Sequence, residues 1–227
     1  MKSAPVYDVG VIGGGPGGAA VASYIAQQGY RVALWETQPV PLPRVGESML
    51  PASMEILEEL GFLNDVQNSG YIKKYGAYFT DWRTETELYV EFARGLNGEN
   101  LTYAFEVPRN EFDRDFLDFA RRQGVEVFQG CHVKEVNLGS TPLEVLCDKQ
   151  EFSCRYLVDA SGRRSFLGRK LRVQKPNLEF PHCATYSHFR GVERRNGAHE
   201  GDITIGLLPE RAWAWLIPFA GDITSVG

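Results

Sequence analysis

Residues 6–36 read VYDVGVIGGGPGGAAVASYIAQQGYRVALWE, and three parts of that run differ in physical signature. The first, VYDVGVI, is short, β-branched and nearly all apolar, as a strand covered on both faces must be. RVALWE repeats that pattern at the far end. Between them GGGPGGAAVASYIAQQGY turns on glycines and then continues with helix-forming residues up to Gly29. Strand, turn, helix and strand in that order predict a βαβ unit over 6–36.

The turn carries Gly13-x-Gly15-x-x-Gly18, in the sequence Gly15-Pro16-Gly17-Gly18. Gly13 permits the tight turn, Gly15 lets backbone approach a pyrophosphate, and Gly18 lets the helix pack closely on the strand. The helix N-terminus then faces the anion. Glu36 closes the second strand, where a carboxylate accepts hydrogen bonds from a ribose 2′-hydroxyl. The motif predicts a dinucleotide site without separating NAD from FAD.

The composition of the full 227 residues is that of a globular chain, with 43% hydrophobic residues and a net charge of -5. An acidic balance argues against a nucleic-acid partner. VYDVGVI is too short and carries Asp8, so neither a signal segment nor a membrane span is expected, and a cytoplasmic location follows by default. Cys131, Cys147, Cys154 and Cys183 form no CxxC pair, and with the four histidines they show no zinc-ligand spacing. Reduced, buried thiols and no metal site are the expectation.

Past Glu36, TQPVPLPRVGESMLP opposes helix and predicts an extended strap. ASMEILEELGF predicts a helix. KKYGAYFTDW, TELYVEFA and LTYAFEV alternate as strands, and RNEFDRDFLDFARRQG predicts an amphipathic helix ending at Gly124. VEVFQ, CHVKEVNL, LEVLCD and RYLVDAS follow as strands, then ATYSHFRGV, DITIGLL, AWAWLIPF and ITSVG. This order predicts an α/β fold: a Rossmann-like nucleotide-binding domain with a β-rich insertion, the β-rich segments falling at about 70–107 and 180–227 of one module spanning 1–227.

The chain resembles, over essentially its whole length, the flavin-dependent halogenases within the FAD-dependent oxidoreductases built like p-hydroxybenzoate hydroxylase. GGGPGG, Glu36, VPRNEFD with Arg109, and LVDASGRRS with Asp159 and Gly162 carry the broader likeness. PRVGESMLP, KKYGAYFTDW and WAWLIP carry the halogenase likeness, the last fitting W-x-W-x-I-P at Trp213, Trp215, Ile217 and Pro218. The resemblance implies FAD, supplied reduced by a separate flavin reductase, held by Gly13, Gly15, Pro16, Gly17, Gly18, Glu36, Arg44, Ser48, Arg109, Val133, Asp159 and Gly162. It also implies a halide ion and an electron-rich aromatic substrate, free or tethered to a carrier protein.

By the same likeness Lys74 is the catalytic residue. Reduced FAD and oxygen convert chloride to hypochlorous acid, and the lysine holds the oxidant as a chloramine or by a hydrogen bond. In an extended segment Lys73 and Lys74 point to opposite sides, so at most one aims inward; the other reading is a solvated pair. Capture of chlorine needs the neutral amine, which burial favours. The W-x-W stretch has two readings, a packed strand ended by Pro218, and a gatekeeping wall that keeps substrate from the flavin. Glu47 and Ser48 are either strap residues linking flavin and lysine or local turn formers. Arg109 has a solvated first-turn alternative. Arg163, Arg164, Arg169, Lys170, Arg172 and Lys175 form a solvated basic face or dock an acidic carrier.

Halogenases of this kind are much longer than this chain, and their later Gly-Asp flavin motif is not matched by GDITIG or GDITSVG, which read as strand entries. The resemblance therefore implies the N-terminal half of a larger two-domain flavoprotein, inactive in isolation, without the glutamate that partners the lysine. Alternatives are a flavin monooxygenase, a geranylgeranyl-reductase-like enzyme, or a non-catalytic FAD-binding fragment. Ile217 and Lys74 favour the halogenase.

Overall fold

The computed structural model describes residues 6–94, 102–148, 150–175 and 183–227, with the side chain of Arg211 excepted. Leu101, which opens LTYAFEV, lies outside them. In chain order the elements are β1 (Val6–Ile12), α1 (Pro16–Gln27), β2 (Val32–Glu36), α2 (Pro51–Leu60), α3 (Leu63–Asn68), β3 (Ile72–Lys74), β4 (Gly76–Asp81), β5 (Thr86–Glu91) and β6 (Ala104–Glu106). There follow α4 (Arg109–Arg122), β7 (Glu126–Gln129), β8 (Val133–Asn137), β9 (Leu143–Cys147), β10 (Gln150–Asp159), α5 (Phe166–Lys170), β11 (Ser187–Arg190), β12 (Ile203–Leu207), β13 (Trp213–Pro218) and β14 (Ile223–Val226). Contacts gather these into two compact units, residues 1–42 with 110–180, and residues 43–109 with 181–227.

The first unit is a six-stranded sheet in the order β7-β2-β1-β10-β9-β8. β1 lies parallel to both β2 and β10, and β2 parallel to β7, which is why VYDVGVI and VALWE carry so few polar residues. Trp35 fills the sheet core against Phe152 at a centroid distance of 5.3 Å. The amphipathic prediction for α4 is met by its buried Phe112, Phe116, Leu117, Phe119 and Ala120. Each buried aromatic contributes about 1.5–3 kcal/mol relative to exposure. The last parallel strand is longer than RYLVDAS suggests. It starts at Gln150, because a tight turn at Asp148 (φ 33°) folds it back on β9 with Gln150 opposite Cys147.

The second unit is built on a six-stranded sheet, β11-β14-β13-β12-β4-β5, in which only β12 and β4 pair in parallel. Ala77, Ile203, Trp215, Ile217 and Phe219 form its core cluster. A separate ladder pairs β3 with β6, antiparallel, and Ser48 of the strap bridges Glu106 along the other edge of β6. No helix among the described residues is long and apolar enough to cross a membrane.

Candidate functional site

In the first unit the three motif glycines occupy different surroundings. Gly13 has φ +105°, and a Cβ there would lie 2.5 Å from the Ala160 carbonyl oxygen. At Gly18 a Cβ would fall 1.9 Å from the Gly13 carbonyl oxygen. Among the described residues a Cβ at Gly15 or Gly17 would meet nothing within 4 Å, so they leave the space in front of the α1 N-terminus open. Gly15 is the N-cap without a side-chain cap, Pro16 sits in the first turn, and no acid occupies that turn. These are the features of an anion cradle. Glu36 Oε2 accepts from Gly14 N at 2.7 Å and Oε1 from Gln38 N at 2.8 Å, so the carboxylate also shapes the loop.

Beside the end of β2 lies a cavity of about 260 Å³ lined by Ile12, Thr37, Val133, Ser161, Arg164 and Arg169 among others. Trp35 also lines it, and its indole Nε1 is buried with no partner among the described residues. Asp159 is engaged locally. Oδ1 accepts from Ser161 N and Oγ, and Oδ2 from Leu167 N at 2.7 Å, which folds the turn at Gly162 (φ +64°). An open cradle, an uncapped helix terminus and a cavity beside the end of β2 fit a dinucleotide such as FAD.

The second unit brings the strap, β3 and β6 together. Ile72 stands opposite Glu106 and Lys74 opposite Ala104, so Lys74 and Glu106 are diagonal neighbours on one face. Lys73, one residue earlier, points the other way and is exposed, with its ammonium over the rings of Tyr103 (4.8 Å) and Phe105 (5.9 Å). Lys74 is 1% exposed and Glu106 0%. Lys74 Nζ lies 3.4 Å from Glu106 Oε1 and donates to Ser48 Oγ, while Ser48 Oγ donates to Glu106 Oε1 at 3.1 Å. Ser48 therefore bonds across distant chain, not within its own turn. Glu106 Oε2 has no partner among the described residues. Burial pushes Lys74 below the ordinary lysine range and Glu106 above the ordinary carboxylate range, and the charge of each only partly restores the other.

Asp202, 3% exposed, secures the chain just beyond the lysine: Oδ1 accepts from Tyr75 N at 2.7 Å and Gly76 N at 3.0 Å. Its Oδ2 lies 2.8 Å from His199 Nδ1. A second chain of bonds starts at Glu47, 1% exposed. Ser225 Oγ donates to Glu47 Oε2 at 2.6 Å and receives Trp215 Nε1 at 3.2 Å, and His188 Nε2 sits 2.8 Å from Glu47 Oε1. Arg109 Nη1 donates to the Val45 carbonyl at 2.8 Å and so pins the strap, whereas Arg44 is exposed.

Trp215, Ile217 and Pro218 are buried, and Pro218 is the last residue of β13. Trp213 is not part of the buried wall. At the strand's first position, opposite Leu207, it remains 52% exposed, although its ring still lies 5.4 Å from that of Trp215. The expectation of buried cysteines also needs correction, since Cys183 is exposed and Cys131 half-buried; Cys183 lies outside any strand or helix. The six basic residues of 163–175 are all exposed. Sequence reasoning missed Glu106, Asp202 and Ser225. The one available signal was an acid at an inward position of the apolar AFEV strand.

The FAD binding domain family matches residues 6–181. A 1H-pyrrole-2-carbonyl-[peptidyl-carrier protein] chlorinase of Pseudomonas fluorescens is 33% identical over 97% of this chain and 55% of its own length. A flavoprotein/dehydrogenase of Cytophaga hutchinsonii superposes with a TM-score of 0.87 at 31% identity, covering 98% of this chain and 55% of that one. The myxobacterial chondrochloren halogenase, an FAD-dependent halogenase, gives 0.82 at 27% identity, covering 97% and 52%. The chain thus spans about half the length of the relatives it matches. It belongs to the FAD binding domain family and, within it, is similar along nearly its whole length to flavin-dependent halogenases.

Proposed function

We propose that this protein is a flavin-dependent halogenase acting on an electron-rich aromatic ring, with Lys74 as the residue that carries the halogen. The observation that carries this reading is the contrast between adjacent lysines: Lys74 is buried at 1% exposure beside Ser48 and Glu106, while Lys73 is solvated. A solvated structural pair would not cost one ammonium its water. Burial favours the neutral amine, and only the neutral amine has the lone pair that can displace hydroxide from hypohalous acid.

FAD, supplied reduced by a separate reductase, would give oxygen the two electrons that activate it, so that oxygen becomes the oxidant that turns halide into hypohalous acid. Gly13, Gly15, Gly17 and Gly18 would hold its pyrophosphate, Glu36 its ribose, and the cavity at Val133 its adenine end, with Pro16, Asp159 and Gly162 shaping the loops around it. Arg109 and Ser48 position the strap, with Arg44 on its exposed part. Trp215, Ile217 and Pro218 would form the wall that keeps an organic substrate from the oxidant's source, with Trp213 at its open edge. The P. fluorescens relative makes a carrier-bound pyrrole the first substrate class to try, and the exposed basic face at 163–175 suits an acidic carrier.

The test is a pair of variants in the complete reading frame. Lys74→Ala should abolish halogenated product by mass spectrometry while reduced flavin is still reoxidised by oxygen at a similar rate. Lys73→Ala should keep most activity. Halogenation by both variants would refute the lysine reading, and no halogenated product from the unaltered protein would leave a monooxygenase or reductase on the same scaffold.

A further inference from the structure

Glu106 is the least explained group in the second unit. It is a carboxyl with 0% exposure, set among apolar residues of β6, and one of its oxygens has no partner among the described residues. A carboxylate in such a place is unfavourable unless both oxygens are satisfied. Ser48 Oγ reaches only Oε1, and so does Lys74 Nζ. The titratable groups acting on it are Lys74 from β3 and Asp202 ahead of β12. Asp202 is an anion already committed to the backbone at Tyr75 and Gly76, so it adds to the pressure for Glu106 to hold a proton.

The geometry points to Glu106 as a second catalytic residue, a general acid that protonates the halogen-bearing nitrogen of Lys74. This rests on Lys74 being the halogen carrier. A neutral chloramine R–NHCl is a weak electrophile, because attack on chlorine would expel an amide anion. If the Glu106 carboxylic acid first gives its proton to that nitrogen, R–NH2Cl⁺ and a Glu106 carboxylate result, and the leaving group becomes the neutral lysine amine. The aromatic carbon then forms a bond to chlorine as the N–Cl bond breaks, its electron pair staying on Lys74 nitrogen. The ring is oxidised and the chlorine reduced. The proton lost from the ring carbon restores the Glu106 acid, so each turnover returns both side chains to their starting forms. Ser48, bonded to both, fixes the carboxyl against the amine and is a positioning residue.

Two variants separate an acid from a spacer. Glu106→Gln keeps the shape and an oxygen for Ser48 but has no acidic proton, and Glu106→Asp keeps the acid on a shorter stem. Infrared spectra with ¹³C-carboxyl-labelled glutamate should show a protonated buried carboxyl at neutral pH that is absent from the Glu106→Gln protein. In a FAD-free assay the complete protein is given limiting hypochlorous acid and then phenol, and chlorine on the Lys74 peptide and in chlorophenol is followed by mass spectrometry. The Glu106→Gln protein should take chlorine on Lys74 as the unaltered protein does but pass it to phenol about a hundredfold more slowly, the usual scale of general acid catalysis. Glu106→Asp should recover much of that loss. Transfer by the Glu106→Gln protein at the unaltered rate, or no protonated carboxyl at neutral pH, would overturn the proposal while leaving Lys74 in place. No chlorine on Lys74 of the unaltered protein would instead sink the lysine reading, and this one with it.

Discussion

Replacing single glycines in the α1 turn with alanine should separate folding from cofactor binding. At Gly18 the added Cβ would sit 1.9 Å from the Gly13 carbonyl oxygen and 3.3 Å from Ala160 Cβ. The first contact is with backbone, so no rotamer relieves it and α1 must move away from the sheet. Overpacking of this kind costs about 1–3 kcal/mol, and a clash this deep belongs at the upper end. Alanine returns about 1 kcal/mol of helix propensity, leaving a net loss near 2 kcal/mol. For a chain of this size that lowers Tm by about 4–8 °C. Gly17, exposed with nothing within 4 Å, has no such penalty, so Gly17→Ala should hold or raise Tm by up to about 4 °C. Both should weaken FAD, Gly17→Ala because its methyl enters the open space before the helix terminus. The assays are thermal denaturation without cofactor and FAD titration by flavin fluorescence. An unchanged Tm in Gly18→Ala, or a fall in Gly17→Ala as large as in Gly18→Ala, would refute the packing argument. Unaltered FAD affinity in Gly17→Ala would refute the cradle.

Trp215→Phe keeps an aromatic ring in the wall but removes the 3.2 Å bond to Ser225, at a cost of about 1 kcal/mol; if the wall gates substrate, hydroxylated product or free peroxide should rise relative to halogenated product, and a constant ratio would leave only a packing role. Under native conditions Cys183 should take maleimide first, while Cys154, buried and with its thiol pushed up to about 11, should stay unlabelled, as peptide mapping would show. Burial alone would raise Asp159, but the hydrogen bonds from Ser161 and Leu167 outweigh it and hold its carboxyl below the ordinary range. Its stabilising contribution is therefore present above the ordinary Asp pKa and is lost as pH falls through the lowered folded value. Asp159→Asn should flatten the acid limb of a Tm-against-pH curve, and an unchanged limb would count against it.

Local signals made part of this protein legible in its residues alone. β1, α1 and β2 follow from apolar runs and glycine spacing, because their decisive contacts lie within one turn or one βαβ unit. Alternation along Ile72-Lys73-Lys74 required the two lysines to part company, and the period of an extended chain is enough for that. Which lysine faced inward was beyond alternation and came from likeness alone; pairing of β3 with β6 places Lys74 on the face shared with Glu106. Glu106 and Asp202 could not be assigned to Lys74 beforehand, since they stand 32 and 128 positions away, and Ser48, 26 positions away, was tied to the lysine only by likeness; all three meet it through strand register and a buried carboxylate's reach. The same holds for Ser225 between Glu47 and Trp215, separated by 178 and 10 positions. Side-chain chemistry and chain period are properties of the sequence; which charges lose their water together is decided only when distant strands pair, because desolvation depends on everything that packs around a group and not on its neighbours in the chain.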